Sequence, residues 1–273
     1  MRHFAAAITL ILFAAAAQGD RMPDYGPLKR ASVSDVVVIG KVTEIDKDPN
    51  EAKAHPGATE KTKFTIATVK IETDILGAKN LTHVKVGFYA GSSSTGGNYK
   101  FPVLKQGDEV CVFLIKHPEA NFYIFPPLAP PIPVLENSKA TLDRLKQGAA
   151  VFGDPAKALK SDKIEDRTEA ACFLLMRYRN PLLGREVTTA KVPLAESQVI
   201  LKALAEADWA KSEGELNPMT EFASLGISTQ PGFAKILPKP GEDLKPIWQA
   251  EFKRWLAAEG KDHKIQKFVP KAK

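Results

Sequence analysis

Residues 35–45 read Asp-Val-Val-Val-Ile-Gly-Lys-Val-Thr-Glu-Ile, an apolar stretch dominated by branched side chains. Branched side chains are stiff next to the backbone, and they favour a pleated strand over a helix. The stretch therefore predicts that the fold begins with a strand, and the sequence that follows decides how that strand is paired.

Four further segments carry strand patterns, and turn or loop residues separate them: 64–73, 82–88, 110–115 and 121–125. The apolar positions change parity within 64–73, which predicts a β-bulge. The continuous apolar run at 110–115 predicts a strand covered on both faces. Residues 46–61 carry prolines among charged residues and are predicted to form a long exposed loop. Five short strands without a helical pattern between them favour a small barrel or sandwich.

Three stretches of the sequence together resemble the netrin-like domain that is shared with the tissue inhibitors of metalloproteinases. They are 35–42, the turn Ile75-Leu-Gly77, and 104–114, which reads Leu-Lys-Gln-Gly-Asp-Glu-Val-Cys-Val-Phe-Leu. The resemblance implies a five-stranded OB-like β-barrel over residues 30–125. Those inhibitors insert a cysteine-led mature N-terminus into the protease zinc site, but this chain has no cysteine before Cys111. Protease inhibition by that route is therefore not carried over.

The composition changes after the last of these strands. Residues 126–136 contain five prolines and are predicted to form an extended linker. Helical patterns follow. Asn137 can cap one helix, Asp162 with Glu165 begins a second like a capping box, and Pro193 and Pro246 lie where first-turn prolines belong. The expected fold class is therefore α+β in two parts, with the barrel followed by a small all-α helical domain over 137–260.

The first residues predict export from the cytoplasm. Arg2 and His3 precede an apolar run that is too short to span a bilayer, and small residues follow it. We therefore expect residues 1–19 to be a signal peptide, residues 20–29 an N-terminal segment, and the mature protein to be secreted or periplasmic. No later apolar run approaches spanning length, so no transmembrane segment is expected after cleavage. As a whole, the chain resembles exported bacterial proteins.

The formal charge of +6 is partly concentrated in the tail, residues 261–273. Five lysines there could touch an anionic envelope or polymer, and a frayed, solvated end is the simpler interpretation. The two cysteines, Cys111 and Cys172, lie in an apolar strand and an apolar helix. Buried free thiols are preferred over a disulfide between them.

Local motifs for catalysis, metal binding or cofactor binding are missing from the sequence. Residues 91–97 read Gly-Ser-Ser-Ser-Thr-Gly-Gly, which fits neither a phosphate-binding loop nor a nucleophile elbow. His55, His83 and His117 are scattered and lack a metal-ligand spacing. No catalytic residue, metal ligand or cofactor is therefore assigned.

Basic side chains on the second predicted helix have two interpretations. Arg167, Arg177 and Arg179 are expected to pair with acids on neighbouring helices, and an anion site is the alternative.

These observations predict a non-enzymatic exported binding or envelope-associated protein. Its partner is expected to be a protein or an envelope polymer, and nucleic acid is not expected. The candidate contact surface surrounds the loop at 91–97 because OB-type barrels present a strand face and adjacent loops to ligands. A hydrolase with dispersed catalytic residues and a structural interaction module are the alternatives. The contact residues are Tyr89, Ser92, Ser93, Ser94, Tyr99 and Phe101.

Overall fold

The structure is a computed structural model that describes residues 25–54, 58–89, 103–126, 132–133, 139–180, 186–211, 214–236 and 241–271. The predicted signal peptide lies outside these residues, as do the loop at 91–97 and most of the predicted linker. Within these ranges, no helix is both long and apolar enough to cross a membrane.

The fold is mixed α+β, with nine strands and seven α-helices among the described residues. The strands are β1 (Val36–Ile45), β2 (Asn50–Lys53), β3 (Lys61–Leu76), β4 (His83–Tyr89), β5 (Glu109–Lys116), β6 (Tyr123–Ile124), β7 (Ile132–Pro133), β8 (Val187–Lys191) and β9 (Gln266–Pro270). The helices are α1 (Pro27–Ser32), α2 (Lys139–Gly153), α3 (Pro155–Ala158), α4 (Ile164–Arg179), α5 (Leu194–Glu206), α6 (Pro218–Ser224) and α7 (Leu244–Ala258). We call residues 36–133 the sheet region and residues 139–271 the helical region.

The first seven strands form one sheet, and β8 and β9 form a second sheet of two strands. In the large sheet the order runs β1, β3, β4, β6, β5, and β5 pairs again with β1, so the hydrogen-bonded path returns to its first strand. The β4–β6 pair is parallel, and the other pairs are antiparallel. The predicted turn at Gly77 is present, with the glycine at a φ of 74°.

Alternation along β1 and β5 sends successive side chains to two different cores. Val36, Val38, Val112 and their even-numbered neighbours join an aliphatic cluster with residues of β3 and β4. Val37 and Ile39 of β1 and Cys111 and Phe113 of β5 join a cluster made mostly of helix residues. Both faces of β5 are therefore buried, as the apolar run predicted.

The parity change in β3 has a different origin from the one predicted. Phe64 and Ile66 belong to a third, partly aromatic cluster, whereas Ala67 and Val69 belong to the aliphatic one. The β3–β4 register continues through this point without a shift, and the irregularity lies in β1, between Val42 and Glu44. Strand β3 thus changes the face that it buries where β1 carries the extra residue, and β3 has extra residues of its own in this pair at Glu72 and Ile75.

The helices pack on the outer side of β1 and β5, and one hydrophobic cluster contains residues of both regions. Its aromatic part lies in the helical region, where Phe222 contacts Trp209 and Phe252 at ring distances of 5.3 and 4.7 Å. Trp255 is buried as well. One hydrophobic cluster therefore contains residues from both sides of the predicted linker.

Three sequence expectations differ from the structure because pairing or capping overrides local pattern. The expected loop at 46–61 contains β2, which pairs with β3. The helical part is not all α, since β9 pairs with β8 through residues of the expected frayed tail. The N-terminal segment contributes to α1. The expected cap at Asp162 is not formed: Lys163 is the N-cap of α4, without a side-chain bond.

Candidate functional site: a cationic cleft in the helical region

The predicted contact surface is described only at Tyr89. This residue ends β4, is half-buried, and stacks on Phe64 with ring centroids 5.3 Å apart. Burial raises the pKa of its hydroxyl. Ser92, Ser93, Ser94, Tyr99 and Phe101 lie outside the described residues, so the structure neither assembles nor separates that surface.

Of the three histidines considered as metal ligands, His117 has a structural role. His117 is buried, its Nε2 lies 2.9 Å from the carbonyl oxygen of Lys53, and its Nδ1 accepts from the backbone N–H groups of Glu119 and Ala120. These bonds occupy both ring nitrogens and tie β2 to the turn after β5. His83 is exposed, and His55 lies outside the described residues. The described residues contain no group of three or more metal-ligating side chains.

Both cysteines are free and buried in the cluster that joins the two regions. Burial raises the pKa of the Cys111 thiol to about 12, against a lowering by nearby Arg30. Burial also raises the pKa of Cys172, and Glu221 and Glu169 add to that rise. A thiol attacks as the thiolate, so neither cysteine is activated as a nucleophile.

The three arginines of α4 make different contacts, and one of them lines a cleft. Arg167 forms an ion pair with Glu206 on α5 at 3.0 Å, as expected. The guanidinium of Arg177 lies 4.7 Å from the ring centre of Phe152. Arg179 instead donates to two carbonyl oxygens, of Ser224 at 3.1 Å and Gln266 at 3.2 Å.

Arg179 lies at the edge of a concave cleft of about 660 Å³. The cleft is built from the end of α4, the junction of β8 with α5, the turn after α6, and the segment between α7 and β9. Such a volume is typical of sites for small ligands. The lining residues are Arg179, Lys191, Leu194, Leu225, Gln230, Asp262, His263, Lys264, Ile265 and Gln266.

A buried serine fixes the wall that β9 contributes. Ser197, on α5, accepts a hydrogen bond from the N–H of Ile265 at 3.1 Å and donates to the carbonyl of Val192 at 3.3 Å. The N–H of Val192 in turn donates to the carbonyl of Ile265 at 2.8 Å. These bonds continue the β8–β9 ladder into α5, so the irregular segment before β9 is held in place.

A second clamp holds the turn before that segment. The side-chain amide of Gln198 donates to the carbonyl oxygens of Gly260 at 2.9 Å and His263 at 3.3 Å. A side chain at Gly260 would collide with the ring of Trp255, so the backbone approaches this ring closely. The His263 ring packs edge-on against the same tryptophan, with centroids 5.3 Å apart.

The charges in the cleft favour an anion. Three lining side chains are cationic, Arg179, Lys191 and Lys264, and Asp262 is the one carboxylate among the described lining residues. Neither lysine forms an ion pair with a described residue. Burial lowers the pKa of His263, so the imidazole is neutral at pH 7 and can donate or accept a hydrogen bond.

This arrangement can bind and orient a ligand with a negative group. The described lining residues include His263 beside Asp262 but no serine, threonine or cysteine, so a hydroxyl or thiol nucleophile is not assembled there. A second, more open depression is lined by residues of the segments 234–236 and 242–254. We therefore take the cationic cleft as the candidate site.

Sequence reasoning missed this cleft because its residues come from separate segments between 179 and 266. Two signals pointed toward it. Arg179 belonged to the arginines for which an anion site was the alternative, and Lys264 belonged to the basic tail. The pairing of β8 with β9 and the hydrogen bond from Arg179 to the carbonyl of Gln266 bring these segments together.

The cleft is thus defined by the residues of this chain and by their contacts. No protein-family model matches the chain, and no curated protein sequence matches it.

Proposed function

We propose that this protein is an exported, non-enzymatic binding protein, associated with the cell envelope, in which an OB-like barrel supports helices that carry the ligand site. The strand order supports this architecture: β1, β3, β4, β6 and β5 pair in a path that returns to β1, with only β4 and β6 parallel. A closed five-stranded path is typical of OB-type barrels, as the netrin-like resemblance implies. Export rests on the signal-like pattern of residues 1–19.

The cationic cleft is the observation that carries the proposed function. It has the volume of a ligand site, its walls are fixed by Ser197 and Gln198, and its cations lack acidic partners among the described residues. Charged side chains arranged in this way give specificity for partners of opposite charge. The expected partner is an envelope polymer or a protein segment.

The experiment uses the mature chain, from Asp20 onward, immobilised and exposed to the exported proteins and envelope polymers of its host. Leu194→Trp places a large ring at the half-buried edge of the cleft and should abolish a specific, saturable interaction. Val199→Trp is the matched control, because Val199 lies on the same helix, is 39% exposed and does not line the cleft. Binding that survives Leu194→Trp as well as Val199→Trp would show that the cleft is not the site.

The hydrolase alternative has one observation in its favour, the adjacency of His263 and Asp262 in the cleft. An activity screen of the mature chain with ester, amide and glycoside substrates tests it. Turnover that is lost in both His263→Gln and Leu194→Trp would replace the binding proposal by an enzymatic one. If the protein is instead a structural interaction module, capture of its partner should not depend on the cleft.

A further inference from the structure

The cleft contains one cation that is already oriented. Arg179 uses two of its five N–H groups on the carbonyls of Ser224 and Gln266, which belong to different segments of the wall. These bonds leave three N–H groups without a partner among the described residues. A guanidinium held in this way loses little further freedom when it binds, and its planar fork matches a carboxylate or phosphate.

The two lysines extend the positive field around this group. Lys191 ends β8 opposite Gln266 of β9, and Lys264 lies two residues before that glutamine, so the ladder holds both backbones at the cleft. Both side chains are exposed, which allows them to reach a ligand without the cost of desolvating a buried charge.

The rest of the lining suits a body with several hydroxyl groups. Gln230 and Gln266 supply amides, and the neutral His263 supplies a donor and an acceptor. Leu194, Leu225 and Ile265 supply apolar contact. A cavity of about 660 Å³ accommodates a molecule of the size of one or two sugar units.

From these three features we infer that the cleft binds an acidic sugar, whose carboxylate or phosphate is held by Arg179 with Lys191 and Lys264. This inference rests on the proposed function, since it names the ligand class of the same site. The shared chemistry is an oxyanion on a hydroxylated ring. A uronic acid and a sugar phosphate are its two possible sources.

The experiment titrates the mature chain with three molecules that share one ring: glucose, glucuronate and glucose 6-phosphate. Calorimetry should show that both acidic sugars bind more tightly than glucose, by about tenfold or more, and that added NaCl weakens this preference. The acidic sugar that binds more tightly identifies the source of the oxyanion.

Two variants change the charge of the cleft in opposite directions. Lys191→Gln with Lys264→Gln should weaken glucuronate binding about tenfold, and Asp262→Asn should strengthen it about twofold. The control Lys160→Gln with Lys253→Gln removes the same charge from exposed lysines outside the cleft and should leave binding unchanged. Opposite effects of the two cleft variants are not expected from a purely structural role.

The outcomes separate this inference from the proposed function. Equal affinity for glucose and glucuronate, or absence of binding by all three probes at about 10 mM, overturns the acidic-sugar inference. The proposed function survives either result if Leu194→Trp, but not Val199→Trp, still abolishes capture of a host partner. The proposed function fails if both variants capture the host partner as well as the wild type does.

Discussion

The sheet region and the helical region differ in what holds them together. The interior of the sheet is mostly aliphatic, and backbone pairing joins its strands. A smaller, partly aromatic cluster contains Phe64 and Phe122, and the buried His117 packs against both rings and ties β2 to the turn after β5. The core of the helical region is largely aromatic, and side chains such as Ser197, Gln198 and Arg179 hold irregular segments by their carbonyl and N–H groups. In the helical region, irregular segments fixed by polar clamps therefore leave a shaped cleft between them.

The largest expected effect tests whether the two regions form one cooperative unit. Trp209 is 1% exposed, and its indole N–H donates to the carbonyl of Leu204 at 2.8 Å. Trp209→Ala should lower the free energy of unfolding by about 4 kcal/mol, and Leu114→Ala in the sheet interior should lower it by about 3 kcal/mol. Urea unfolding followed by circular dichroism and by tryptophan fluorescence should give coincident transitions in both variants, because one hydrophobic cluster spans both regions. Separate transitions in Trp209→Ala would contradict a shared core.

A buried carboxyl makes the helical region sensitive to pH. Burial raises the pKa of Glu221 on α6 from 4.5 to about 7, against a lowering by Lys29 of α1. The negative charge of Glu221 in turn contributes to the raised pKa of Cys172 on α4. The folded state therefore retains a proton that the unfolded chain loses, so the stability penalty is absent below pH 4.5 and complete above about pH 7.

Glu221→Gln should remove this penalty. The variant should be more stable than the wild type at pH 8, by up to about 3 kcal/mol, and no more stable at pH 4. Urea unfolding at the two pH values measures the difference, and the exposed Glu60→Gln in the sheet region is the control. A stability gain that is the same at both pH values would exclude the titration of Glu221 as its cause.

The polar clamps of the two regions should differ in their effect on binding. Ser197→Ala leaves the N–H of Ile265 without its acceptor, and His117→Ala leaves the carbonyl of Lys53 without its partner. Each should cost about 2 kcal/mol of stability. Ser197→Ala should also weaken ligand binding at the cleft, whereas His117→Ala should not, as thermal unfolding and calorimetry of the same samples can show. Equal losses of binding would indicate general destabilisation.

The smallest effect concerns the charge of His263. Burial lowers its pKa, so the imidazole gains a proton only below the usual histidine range. That charge adds to Arg179, Lys191 and Lys264 and opposes Asp262, the charged groups that line the same cleft. Glucuronate binding should therefore strengthen about threefold between pH 7 and pH 5. His263→Gln should make the affinity independent of pH over this range, and a persisting rise in the variant would assign the effect elsewhere.

The strands with strong apolar patterns were predictable from sequence. β1 and β5 carry runs of branched residues; β1 begins one residue later than predicted, and β5 is one residue longer at each end. β2 was not predictable because its sequence, Asn-Glu-Ala-Lys, has no apolar alternation and becomes a strand only by pairing with β3. β9 was missed for the same reason: its partner β8 lies 75 or more residues earlier in the chain.

The candidate site was less predictable than the fold. Arg179 and Lys264 were each noticed for their charge, but local sequence does not record that Ser197 and Gln198 bring their segments together. The chosen contact residues near 91–97 followed from the preferences of OB-type barrels, and they stay a prediction. Sites made by clamped irregular segments depend on tertiary contacts, which is why sequence periodicity does not reveal them.

The two cysteines place one chemically modifiable thiol in each region. Cys111 lies in β5 of the sheet region and Cys172 lies in α4 of the helical region, and both thiols are buried. Thiol reagents can modify them only when the surrounding structure opens, so equal labelling rates would report that the cluster shared by both regions opens as one unit. In an oxidising compartment, folding must be faster than disulfide exchange at the two thiols, because the thiols are protected only after both regions have folded around them.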